Sequence, residues 1–212
     1  MNDIGLSIST PGNVLLITAL PMVVAQGRRH VAVVFLMLCT TVEGMQAQDV
    51  AEVRLKGALL FNFARFTDWP SDVFHADSPV SACVVGDRAV GEALSETVKG
   101  KLLAGRPIAV TFVAPSAPLP SCHLLYVSAV ADTRVAEIVS TVQDVPVLTI
   151  SDAEAFTKRG GIIQIFVESG RIKFRINTKS AKRARLQLSS QLLALAEAVD
   201  EDAATVPDAP KT

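Results

Sequence analysis

From residue 48 onward, apolar positions follow two periods that alternate along the chain. Leu55, Leu59, Phe63 and Phe66 fall four, four and three apart, so 51–66 is predicted as a helix carrying one apolar stripe. Trp69-Pro70 ends it, because proline cannot continue a helix and drives the residue before it to extended geometry. The apolar run 80–85, closed by Gly86-Asp87, reads as a buried strand and its turn, and 90–98 as a helix stopped near Gly100. The β-branched stretch 107–113 predicts a second strand and 122–127 a third, joined by a loop over 114–120 with three prolines.

A helix over 133–142 and a fourth strand over 145–150 follow. Ser151 and Glu154 have the spacing of a capping box and predict a short helix that Gly160-Gly161 terminates. The runs 162–167 and 171–176 flank Glu168-Ser-Gly170 as the two arms of a β-hairpin. A long helix is predicted over 179–198, with Ala181, Ala184, Leu188, Leu192 and Leu195 on one face, and the acidic tail over 199–212 is predicted to be disordered. Helices alternating with nearly all-apolar strands predict an α/β fold: a single three-layer domain over 50–198, its sheet mostly parallel, with helices on both faces and a C-terminal antiparallel hairpin at one edge.

Composition narrows the class. Half of the 212 residues are hydrophobic, 19% are charged and the formal net charge is −1. A disordered chain is excluded, and near-neutrality removes any general attraction to nucleic acid or an anionic membrane surface. With 9 Phe, 1 Trp and 1 Tyr, aromatic residues are too few for a base-stacking platform. Ahead of the domain, Arg28, Arg29 and His30 precede the uncharged run 31–39, and small and polar residues lead to Ala47. This order predicts a secretory signal over 1–47, cleaved after Ala47 or Gly44, with translation starting at Met22. The run is shorter than the ~20 residues of a membrane-crossing helix. A weak N-terminal membrane anchor built from the runs 14–20 and 31–39 is the competing reading.

Candidate chemistry is sparse. Val85-Gly-Asp-Arg-Ala-Val-Gly91 lacks the glycine spacing that brings backbone amides onto a pyrophosphate. His75 and His123, the histidines beyond the signal, stand beside no serine or cysteine with a carboxylate, so no catalytic triad is expected. Cys122 and His123 are adjacent in a predicted strand and point to opposite faces, which denies them a shared metal. Ser151 and Asp152 resemble a reactive pair at a strand end, but capping accounts for Ser151. A non-enzymatic protein without metal or cofactor is the expectation.

Removing the signal takes Cys39 away and leaves Cys83 and Cys122, an even count in an oxidising compartment. They belong to the first and third predicted strands, which a parallel sheet can bring to the Cα separation of roughly 4.4–6.8 Å that a disulfide needs. Two buried thiols packing as small hydrophobes are the alternative. Arg171, Lys173 and Arg175 alternate on the last strand and share a face, and Lys179, Lys182 and Arg183 occupy the first turns of the closing helix, with no acid from Arg171 to Ala196. Such a run is either a solvated face or a site for an anionic ligand or acidic partner, assisted by the helix N-terminal amides.

The segments Lys56-Gly-Ala-Leu-Leu-Phe-Asn-Phe-Ala-Arg-Phe-Thr-Asp-Trp-Pro70, Cys83-Val-Val-Gly-Asp87, Gly105-Arg-Pro107, Cys122-His-Leu-Leu-Tyr-Val-Ser128, Leu148-Thr-Ile-Ser-Asp152, Gly160-Gly-Ile162, Phe174-Arg-Ile-Asn177 and Leu188-Ser-Ser-Gln-Leu-Leu-Ala-Leu-Ala196 occur in this order. Together they resemble the YfiR-like family, over about 50–198. The resemblance implies a periplasmic repressor that binds the periplasmic part of an inner-membrane diguanylate cyclase and lowers cyclic di-GMP and biofilm formation. It also implies sequestration by an outer-membrane lipoprotein, and homodimers and small-ligand binding are family traits. The family's disulfide falls on Cys83 and Cys122, while a second family cysteine pair has no counterpart. Candidate contacts are Arg54, Lys56 and Arg65 on the exposed side of the first helix, together with Arg171, Lys173, Arg175, Lys179, Lys182 and Arg183. The alternative function is a periplasmic small-ligand-binding or redox-sensing protein without a cyclase partner.

Overall fold

The computed structural model describes residues 42–74 and 78–200, with side chains over 49–74 and 78–197. Helix α1 spans Val42–Arg65 and leads into the short strand β1 (Thr67–Asp68). Next come β2 (Val80–Val85), α2 (Arg88–Val98), β3 (Leu102–Leu103), β4 (Arg106–Val113), β5 (Leu124–Val127), α3 (Asp132–Val142) and β6 (Leu148–Ser151). The C-terminal part holds β7 (Ile163–Glu168), β8 (Arg171–Asn177), α4 (Thr178–Arg183), β9 (Gln187–Leu188), α5 (Ser190–Leu195) and β10 (Ala198–Asp200). The main sheet has the order β10-β8-β7-β6-β5-β2-β4-β3, and β1 pairs with β9 in a separate antiparallel ribbon. Neighbours from β4 through β2, β5 and β6 to β7 are parallel, and β7–β8 is antiparallel, so the fold is α/β with a mostly parallel sheet. The chain divides into Met1–Met45, described only at the start of α1, and Gln46–Thr212, which holds both sheets.

Alternation along the strands builds two cores. Ala82, Val84, Leu124, Tyr126, Leu148 and Ile150 pack with Leu60 and Phe63 of α1 and Val90 and Leu94 of α2. On the opposite face Cys83, Val85, Leu125 and Val127 pack with Val135, Ile138 and Val139 of α3. Covering both faces is why β2, β5 and β6 read as almost unbroken apolar runs. Near the edge, β4 alternates instead, with Ala109 and Thr111 exposed.

The apolar stripe expected on α1 is borne out in part: Phe63 is buried and Leu59 and Phe66 pack partly buried against the core, but the centre of the buried face is rotated away from Leu55. Leu55 is 48% exposed, whereas Leu60, Phe61, Phe63 and Ala64 are buried. The cause is close packing on α2: a Cβ at Gly57 would lie 2.8 Å from backbone atoms of Ala93 and Leu94, so only glycine lets the two helices approach this way.

The long helix expected over 179–198 is broken into α4, β9, α5 and β10. Leu186 N donates to Ala181 O and Arg185 N to Lys182 O, with Arg185 at φ 57°, which is a Schellman ending with arginine where glycine usually stands. Ser189 then caps α5 by accepting from Leu192 N. The short helix expected after Ser151 is also absent, because Ser151 Oγ donates to Val127 O and accepts from Ala153 N, closing a tight turn that Ala155 at φ 54° continues. The hairpin arm β8 is not the edge, since β10 pairs beyond it in parallel and takes in residues 199 and 200 of the expected disordered tail. The expected signal lies mostly outside the described residues, with 42–47 forming the start of α1; His75, Cys39 and the tail over 201–212 lie outside them too.

Candidate functional site

β4 flanks β2 on one side and β5 on the other, so the winding reverses between β2 and β5. In open parallel sheets, the crevice above the carboxyl ends of such a pair is where ligands bind. Here the two turns that border it lie close together. Gly86 sits at φ +88°, and a Cβ on it would fall 1.9 Å from Ser128 O, so the turns after β2 and β5 are pressed together. Asp87 caps α2 by accepting from Val90 N, which takes one of the amides an anion would use.

Beside these turns stands a polar cluster. Asp152, just after β6, binds Lys56 Nζ at 3.0 Å and accepts a hydrogen bond from Tyr126 Oη at 3.2 Å. Glu52, one turn before Lys56 on α1, lies 3.0 Å from the same ammonium. Lys56 was expected on the exposed side of the first helix; its side chain is only 13% exposed, because the rotation of α1 turns it towards the sheet. Burial pulls the Lys56 pKa down, but hydrogen bonds and charge attraction from Asp152 and Glu52 outweigh it and leave it above the ordinary lysine value of 10.5. Burial first, then the Asp152 carboxylate, keep the Tyr126 hydroxyl protonated well above its usual range, against an opposing hydrogen bond from Ser128.

Asp152→Ala strands Lys56 with one partner and leaves Tyr126 without its acceptor. It is expected to cost about 1–3 kcal/mol in urea unfolding, with Asp152→Asn milder. A raised folded-state pKa contributes stability that is complete below pH 10.5 and lost as pH rises through the raised value. The deficit of Asp152→Ala therefore narrows in alkaline buffer, and a deficit constant up to pH 12 would contradict the pairing.

The expected basic cluster does not assemble. β8 has 7 residues, so Arg171 and the start of α4 are separated by about 20 Å. Lys173 is neutralised from outside the run, by Glu168 at 2.6 Å and Glu197 at 3.0 Å. The Arg175 guanidinium lies 4.3 Å from the centroid of the Phe166 ring. Arg183 donates to Gln143, while Lys179 and Lys182 are exposed. The α4 amide expected to assist an anion is used by Asn177, whose Oδ1 accepts from Ser180 N. Of the first-helix cations, Arg65 is exposed beside Phe61 and Phe66, and Arg54 lines a groove of ≈ 780 Å³ with Asp49, Val50, Val53, Glu92 and Glu96.

A second groove of ≈ 660 Å³ was not anticipated. Val73, Leu119, Cys122, His123, Val145 and Arg185 are among its walls, and an Asp72–Arg185 ion pair of 3.1 Å stands at it. Only the proline-rich loop over 114–120 hinted at such a feature. Cys83 and Cys122 form a disulfide with Cα atoms 5.9 Å apart, and Cys122 faces this groove. His123 is structural: its Nδ1 accepts from Ser81 N at 2.8 Å and its ring packs on Phe74. Among the described residues, no three His, Cys, Asp or Glu side chains gather as a metal site, and no helix is long and apolar enough to cross a membrane. The geometry thus offers grooves and charged surfaces for binding.

No curated protein matches the chain. A solved structure, a conserved domain protein from Vibrio cholerae O1 biovar eltor, is similar at 15% identity and a TM-score of 0.38, covering 57% of this chain and 55% of that one, about half its length. The YfiR/HmsC-like family model matches residues 53–197, from the middle of α1 to the residue before β10. With β1 to β9 and all the helices beyond α1 inside that match, this chain belongs to the YfiR/HmsC-like family.

Proposed function

We propose that this chain is a periplasmic regulator that binds the periplasmic part of an inner-membrane diguanylate cyclase and holds it inactive, lowering cyclic di-GMP and biofilm formation. The family match over the whole sheet domain carries this reading. The turns after β2 and β5, where such a sheet would hold a cofactor, are pressed together at Gly86 and Ser128, which favours a regulatory reading. Export follows from the signal over 1–47, and an outer-membrane lipoprotein competes for the same regulator. Arg54, Arg65, Arg171, Lys179, Lys182 and Arg183, exposed on the domain, are candidate cations for partner contact. Repression requires preference for the inactive cyclase: moving an evenly balanced cyclase to 99% inactive takes about 100-fold tighter binding to that state, about 2.7 kcal/mol.

The test is crosslinked purification of the full chain from membranes, with cyclic di-GMP measured in cells with and without its gene. Recovery of a diguanylate cyclase, and a rise in cyclic di-GMP that vanishes when that cyclase is also deleted, are expected. Unchanged cyclic di-GMP with no cyclase recovered refutes the reading. The ≈ 660 Å³ groove beside the disulfide favours a second reading, a periplasmic small-ligand or redox sensor, which predicts ligand-dependent melting without a membrane partner.

A further inference from the structure

The main sheet ends in an unfinished lane. β3 pairs with β4 only at Leu102↔Pro107 and Leu103↔Arg106, whereas β2 pairs along the whole stretch from Val80↔Ile108 to Val85↔Val113. Ile108, Ala109, Val110, Thr111, Phe112 and Val113 therefore have a strand on one side only among the described residues. An edge like this presents a row of unpaired N–H and C=O groups, and natural sheets blunt such edges with charge, bulges or a covering element. This one carries no charge from Pro107 to Val113, is rich in β-branched residues, and leaves Phe112 40% and Leu102 60% exposed.

A groove of ≈ 360 Å³ runs beside the edge, floored by Val98, Ile108 and Val110. The charged residues in its lining are Lys99 and Lys101, both exposed; Lys99 lies 3.4 Å from Glu96 in a solvent-exposed pair that an incoming carboxylate can replace, and Lys101 stands over the Phe61 ring. The backbone edge calls for a strand, the apolar floor for alternate apolar side chains, and the two ammonium groups for a carboxylate at one end. We propose that the edge of β4 is a strand-addition site for an extended segment of a partner protein, apolar at alternate positions and acidic at the end beside Lys99 and Lys101. The incoming segment continues the lane that β3 begins. Its main-chain hydrogen bonds supply affinity, and the groove and its cations supply selectivity. The site does not depend on the identity of any cyclase.

The test uses the full chain and two labelled peptides of roughly ten residues alternating valine and threonine, one ending in Asp-Glu and the other in Lys-Lys. Fluorescence anisotropy is expected to show the acidic peptide binding at least about tenfold more tightly. Hydrogen exchange is expected to slow over 108–113 when it binds. The K99E/K101E variant, altered at exposed positions, should reverse the preference. Equal affinity for the two peptides, or unchanged exchange over 108–113, overturns the proposal. So does protection of 108–113 in the free chain that rises with protein concentration, because a second copy then occupies the edge. If the double variant fails to fold, the two peptides on the unaltered chain still decide the matter.

Discussion

Reducing the Cys83–Cys122 bond, or replacing both residues in a C83A/C122A variant, should lower unfolding stability by about 4 kcal/mol. The bond joins residues 39 apart in sequence, and in the chain-entropy model a loop of roughly 40 residues loses that much freedom in the unfolded state. For a domain of this size, about 2–4 °C per kcal/mol converts the loss to a fall in Tm of roughly 8–16 °C. Cys83 is fully buried on β2, and Cys122 leads into β5, so the bond ties neighbouring strands within the core beneath α3. Urea titrations with and without reductant give the answer. A loss under about 1 kcal/mol would show that native packing alone holds these strands and that the crosslink is incidental to stability.

Phe63→Ala is expected to cost about 3–5 kcal/mol, comparable to the whole stability of a marginal domain. Phe63 is 1% exposed, and its ring meets Phe174 edge-on with centroids 4.9 Å apart, joining α1 to β8 across more than a hundred residues of sequence. Removing the ring opens a cavity between two elements that cannot easily close around it, because Gly57 already fixes the approach of α1 to α2. Leu55→Ala, eight residues earlier on the same helix, should stay within about 0.5 kcal/mol because Leu55 faces solvent. Similar losses for the two variants would mean that α1 buries a different face.

The contrast between Leu55 and Phe63 shows how far periodicity reaches. Spacing identifies α1 as an amphipathic helix, but the direction of its buried face depends on two neighbours, the sheet and α2, and on the Gly57 contact between helices. The same limit affects the cations. Their alternation on β8 is local and visible in the sequence, yet Lys173 is neutralised by Glu168 across the turn and by Glu197 beyond α5. Lys56 finds Asp152 96 positions away, a pairing that no local pattern encodes. The broken C-terminal helix escapes prediction for another reason: its Schellman ending places Arg185, which has no special freedom at positive φ, where glycine is the usual signal.

Order and type of the central elements were legible from residues alone, because strands covered on both faces must be apolar throughout and the helices between them must show one apolar side. The pairing of Cys83 with Cys122 was within reach for the same reason, since placing two strands in one parallel sheet already brings their residues close. Tertiary structure alone decided that β10 pairs beyond β8 on one side while, among the described residues, most of β4 has no outer partner on the other, that the turns after β2 and β5 are pressed together, and that the basic residues disperse over opposite ends of β8. Each of these depends on where distant segments meet, and the free energy that selects those meetings comes from burial and pairing across the whole chain rather than from the preference of any short stretch.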